Sequence, residues 1–162
     1  MNFAEKLRKK RTENASVATL AGEKVFLVFP PIQVVPLVKE KAESIAASEL
    51  ASIAEDLKAK PADEKEYAMA VESIPEDQRP PMPESRYAQK LESQANQEMI
   101  ILVAPYMMQD ETGNPVASNE RDREIVREEV AKDLEFIKAL SEKFKEFGQT
   151  FAGQVSPEKK KS

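Results

Sequence analysis

Asp110, Thr112 and Asn114 alternate within the stretch QDETGNPVAS like the first ligands of a calcium loop, and no other set of residues is spaced so suggestively for chemistry. The pattern goes no further. Gly113 stands at the wrong place for the sharp turn of such a loop, and no acidic residue closes a ring of about twelve positions. No metal is expected there. Asp110 and Glu111 are sequence neighbours, and no second carboxylate is fixed at a separation that would make an acid and base pair. Histidine and cysteine are both absent. Their absence removes the commonest general base, nucleophile partner and zinc ligands, and leaves carboxylates, lysine, serine and tyrosine as the catalytic material. No glycine-rich phosphate loop and no G-x-S-x-G elbow occurs. The expectation is a protein that is not an enzyme and takes no cofactor.

The remaining candidates are surfaces. Two runs are densely apolar, Val25 to Val38 and Met99 to Met108. Core is the commoner explanation of such density, and a face covered by a partner is the sharper one. On the second reading the contact residues are Phe26, Val28, Phe29, Met99, Ile101, Tyr106, Met107 and Met108, with Met107 and Met108 as adaptable surface. Phe144, Phe147 and Phe151 join them as a Phe-rich helix end, either folded back on Leu102, Val103 and Tyr106 or offered to a partner. A third candidate is basic: Lys6, Arg8, Lys9, Lys10 and Arg11 form an arm able to touch an acidic partner or RNA, without the interleaved aromatics of single-strand binders.

The elements that must position these residues are mostly helical. Only four glycines occur, charged residues reach 33% and the apolar fraction is 41%, which together favour solvated helices over a sandwich or barrel. From Asn119 to Phe151 the residues Val126, Val130, Leu134, Ile137, Leu140, Phe144, Phe147 and Phe151 keep helical spacing. They predict one helix of about 29 residues, roughly 43 Å long, with Gly148 as its first stop. Asn119 is its N-cap with Asp122 three residues on. Arg123, Arg127, Lys132, Lys138, Lys143 and Lys145 are assigned with Glu128, Glu135, Glu142 and Glu146 to its water face. Val17 to Leu20 and Lys24 to Phe29, around Ala21, Gly22 and Glu23, predict a β-hairpin, apolar on both faces and therefore buried or extended by another chain. Helices are predicted over Pro36 to Lys58, Ala62 to Ser73 with Pro61 at its start, and Ser85 to Ala104. The four prolines of Ile74 to Ser85 make an extended connector.

The expected fold is thus mainly α: a small helical domain with a short N-terminal β-hairpin and a long C-terminal amphipathic helix. Residues 1–15 form a basic arm, 16–152 a single domain with its Pro-rich connector at 74–85, and 153–162 a disordered basic tail. The net charge of -5 is unevenly laid out, because the basic residues of the first twelve positions and Lys159, Lys160 and Lys161 leave the body more acidic than the total. Such a body repels nucleic acid and anionic lipid, so either contact would have to come from the ends. No segment reaches the roughly 20 apolar residues of a membrane span. Met1 is not followed by the apolar region of a secretory signal, so a cytoplasmic protein is expected.

The apolar Met99 to Tyr106, the acidic turn Asp110-Glu111-Thr112-Gly113-Asn114-Pro115-Val116 and the charged helix ending LSEKFKEFG resemble the C-terminal half of tailed-phage tail assembly chaperones. The resemblance covers roughly residues 99 to 148 and the early hairpin position. It implies a protein that binds tape measure and tail tube proteins in the host cell cytoplasm during tail assembly. Two alternatives come from other classes. One is a self-associating helical scaffolding protein for a capsid; the other is a nucleic-acid-binding accessory acting through the basic N-terminus.

Overall fold

The computed structural model describes residues 2–13 and 15–155, without the side chains of 8, 11–13 and 151–155. Its order is helix α1 (Phe3–Glu13), strands β1 (Ser16–Leu20) and β2 (Glu23–Leu27), helices α2 (Val35–Leu50), α3 (Ala54–Lys58), α4 (Glu64–Ala70) and α5 (Arg86–Val103), strand β3 (Met108–Gln109), then helices α6 (Glu120–Ala131) and α7 (Leu134–Val155). The protein is mainly helical, with a small antiparallel sheet near the N-terminus and a long C-terminal helix. The chain forms two compact units. One holds residues 1–38 and 100–162, and the other holds Lys39–Met99.

In the first unit the hairpin turns at Ala21 and Gly22, whose φ angles of 52° and 80° are those of a two-residue turn matched to the strand twist. Val17 faces Phe26 and Ala18 faces Val25 across the pair. The far edge of β2 is extended from within the chain, by β3, which sets Met108 opposite Leu27. The amide of Val28 then donates to the carbonyl of Met107 at 2.8 Å. Leu20, Val25, Leu27, Val28, Val103, Met107, Met108, Val130, Phe136 and Leu140 are buried.

The single helix expected from Asn119 to Phe151 is two, α6 and the long C-terminal α7. Asn119 caps the first as expected, its Oδ1 accepting from the amide of Asp122 at 2.9 Å. At the break the amides of Lys132 and Asp133 bond back three residues, to Glu129 and Val130. Asp133 Oδ1 then accepts the amide of Phe136 at 3.0 Å. A short carboxylate offering an acceptor to its own backbone competes with the helical hydrogen bond and starts a new helix. The break changes which face is covered: Phe136 is buried, whereas Leu134 is 74% exposed. Gly148 does not stop the helix, which runs on to Val155 and takes in residues 153–155 of the expected tail. Residues 156–162 lie outside the described residues.

The second unit pairs most of α2 and α5 around Ala42, Ala46, Leu50, Val71, Ala95 and Met99. The long second helix ends at Leu50, with a 3₁₀ turn before α3. Pro61 precedes α4 without starting it. Asp63 is the cap, accepting from Glu66 N at 3.1 Å and from Arg86 Nη2 at 3.2 Å. Gln89 holds the same residue from α5, its Oε1 accepting from Asp63 N at 3.2 Å. The connector folds back on α4, where the Tyr67 hydroxyl donates to the carbonyl of Pro80. Ser85 Oγ accepts from Ala88 N at 3.2 Å, at the start of α5.

Candidate protein-binding surface

After Val28 the chain leaves the sheet with Phe29 beside α7, and the helical spacing of Phe144 and Phe147 sets both rings on the side facing it. The Phe29 and Phe147 centroids are 5.5 Å apart, and those of Phe144 and Phe147 are 6.0 Å apart, all tilted as aromatic pairs prefer. All three rings are half-buried. The Phe-rich end therefore packs on Phe29, a contact that neither alternative, folding back on Leu102, Val103 and Tyr106 or being offered to a partner, had named. The side chain of Phe151 lies outside the described residues.

Lys143, assigned to the water face, has a side chain only 6% exposed. Its Nζ lies 5.0 Å from the Phe29 centroid and 3.8 Å from Glu146 Oε2. The four-carbon stem covers the aromatic row while the ammonium sits over a ring face, an arrangement that suits a cation next to apolar surface. Sequence periodicity missed this residue because lysine counts as polar there, although most of its length is hydrocarbon.

Arg127, also assigned to the water face, is a second buried cation. Its Nε and Nη2 each donate to the carbonyl of Leu102 at 3.4 Å, and its Nη1 to Glu120 Oε1 at 2.7 Å. A cation on the last carbonyls of α5 complements that end of the helix dipole. The hydrogen bond from Arg127 holds the Glu120 carboxyl below its ordinary range. Arg123 lies over Tyr106 at 5.0 Å, and its Nε is buried without a hydrogen-bond partner.

The other candidates divide by burial. Met107 and Met108 are 0% and 2% exposed, so the adaptable surface expected of them is core: Met108 of β3 pairs with Leu27, and Met107 ends the 3₁₀ turn before it. Val28 and Met99 are buried as well, Met99 in the second unit. Phe26, Ile101 and Tyr106 are half-buried, with Lys24 Nζ 5.7 Å from the Phe26 ring. Lys6, Lys9 and Lys10 are exposed on α1, while the side chains of Arg8 and Arg11 lie outside the described residues. Leu134, which the unbroken stripe had placed inward, borders a groove of about 390 Å³ at the α6–α7 elbow with Leu20, Ala21, Glu129, Lys132, Asp133 and Glu135. Only the cap at Asp133 could have disclosed it.

The acidic turn uses its own carboxylate. Asp110 Oδ1 accepts from Thr112 N at 2.9 Å, Thr112 Oγ1 at 2.6 Å and Asn114 N at 3.1 Å. The Thr112 hydroxyl, with the turn amides, holds the Asp110 carboxyl below its ordinary range. Gly113 has a φ of 84°, a left-handed conformation that favours glycine. Among the described residues no helix is long and apolar enough to cross a membrane. Compared with protein-family models, curated proteins and solved structures, the chain matches none.

Proposed function

We propose that this chain is a non-enzymatic assembly chaperone or adaptor, of the kind implied by its resemblance to tail assembly chaperones. It acts in the host cytoplasm by shielding apolar surface of a tape measure or tail tube protein. The row Phe29, Phe147, Phe144 supports the reading: three phenylalanine rings are gathered in one tilted cluster, and Phe29 and Phe144 keep part of their surface exposed. Aromatic anchors of this kind dominate the energetics of protein interfaces. Glu146, 58% exposed and 3.8 Å from the buried Lys143 ammonium, supplies the polar rim.

Co-expression with the tape measure protein of the same phage tests the reading, with the tail tube protein in parallel. The native chain should keep one of these clients in solution and co-purify with it. Phe144→Ser with Phe147→Ser should weaken capture by about 30-fold, as truncation of central aromatic anchors does. Circular dichroism and the urea midpoint check that the variant is folded, and only a folded variant is scored. Clients that stay insoluble beside the native chain would refute the chaperone role, and capture unchanged in the folded variant would remove the site.

A further inference from the structure

The helix α1 offers Phe3 and Leu7, one turn apart, at 76% and 46% exposure, with the exposed Lys6, Lys9 and Lys10 on the same helix. The described chain leaves this basic, apolar-striped face uncovered. The second unit has a complementary feature in a groove of about 380 Å³ between α2 and α5. Its floor is Ala42, Ala88, Leu91, Ala95 and Met99, and its rim is Lys39, Glu43, Glu92 and Asn96.

We propose that α1 of one copy docks in the α2–α5 groove of a second copy. Three observations converge on this occupant. The first is charge: within residues 39–99 acidic residues outnumber basic ones by fourteen to eight, whereas Phe3–Glu13 has five basic residues against Glu5 and Glu13. The second is length, since the 11 residues of α1 span about 16 Å and the groove floor from Ala88 to Met99 covers about the same rise. The third is shape. The three floor alanines let a helix approach closely, and Leu91 and Met99 give Phe3 and Leu7 apolar partners. The exchange can be reciprocal, so two copies close into a dimer with two equivalent contacts. An anionic membrane or a nucleic acid would attract the same arm but repel the acidic remainder of the chain.

The chain has no cysteine, so single introduced thiols report the contact cleanly. Chains carrying Leu7→Cys, mixed with chains carrying Leu91→Cys and oxidised, should give the mixed disulfide in excess over either like pair. In sedimentation velocity at low salt the native chain should show a concentration-dependent dimer. Phe3→Asp with Leu7→Asp should weaken it at least tenfold, about what losing one buried apolar side chain removes. Both positions are exposed in the single chain, so this variant keeps its fold. A strictly monomeric native chain overturns the proposal, as does a dimer indifferent to the Asp variant. An intrachain disulfide formed by the Leu7→Cys, Leu91→Cys double variant while monomeric does so too. Binding of phosphatidylserine vesicles or of DNA through α1 by a chain that stays monomeric also overturns it.

Discussion

Glu98 shows what one side chain contributes in the second unit. It lies on α5, half-buried, where desolvation and the nearby Glu49 carboxylate raise its pKa above the ordinary value. Gln94, one turn back, donates to Glu49 Oε2 at 2.6 Å and keeps that second carboxylate in place. The sign follows from proton linkage. A carboxyl whose folded pKa is raised binds its proton more tightly in the folded chain, so its stabilising contribution is complete below the unfolded carboxyl pKa and is lost as pH rises through the folded value. Glu98→Gln keeps the hydrogen-bonding shape and removes the titration. The variant should match the native chain in acid and exceed it in urea midpoint once pH passes above the ordinary carboxylate range. Equal midpoints at every pH would mean that neither burial nor the Glu49 carboxylate raises the Glu98 pKa in solution.

Among elements, the α6–α7 elbow is decided by a single carboxylate. Asp133→Ala removes the acceptor for Phe136 N and should cost about 1 kcal/mol, the usual worth of an N-cap, read as a lower urea midpoint with unchanged slope. A neutral or stabilising result would show that a continuous helix competes on equal terms with the bent one. The elbow also explains how much of the fold could be read in advance. The hairpin was legible because Ala21 and Gly22 separate two β-rich runs, and the Asn119 cap because its acceptor precedes a long periodic segment. Helical spacing, by contrast, carries through Asp133 without a gap, so the local competition at one residue was hidden beneath a strong pattern. β3 was not legible at all. Two residues carry too little propensity to declare a strand, and Met108 and Gln109 become one only because β2 is beside them. The aromatic row was half legible: Phe144 and Phe147 were found by spacing, but Phe29 as their floor depends on contacts far apart in sequence.

At the scale of the whole molecule, the two units differ in what they bury. The first encloses Leu27, Met107, Phe136 and Leu140, large side chains at or near zero exposure, while three of the six buried apolar residues named in the second are alanines. Burial stabilises by roughly 25 cal/mol per Å² of apolar surface, and an alanine removes far less area from water than a leucine or phenylalanine. The second unit is also short, at 61 residues from Lys39 to Met99, a size at which a single core is marginal. Its helices are tied at the edges by polar contacts such as Arg86 with Asp63 and Glu66, whose side chains are 34–59% exposed and whose ion pairs therefore add little. Local opening follows the density of buried apolar contact. Native-state hydrogen exchange should therefore find the amides of Ala42 to Leu50 and of Ala88 to Ala95 released at lower denaturant than those of Val25, Leu27 and Phe136 to Leu140. Uniform protection across both sets would mean that the chain unfolds as one cooperative body, and that the alanine-padded pair draws its stability from the larger core.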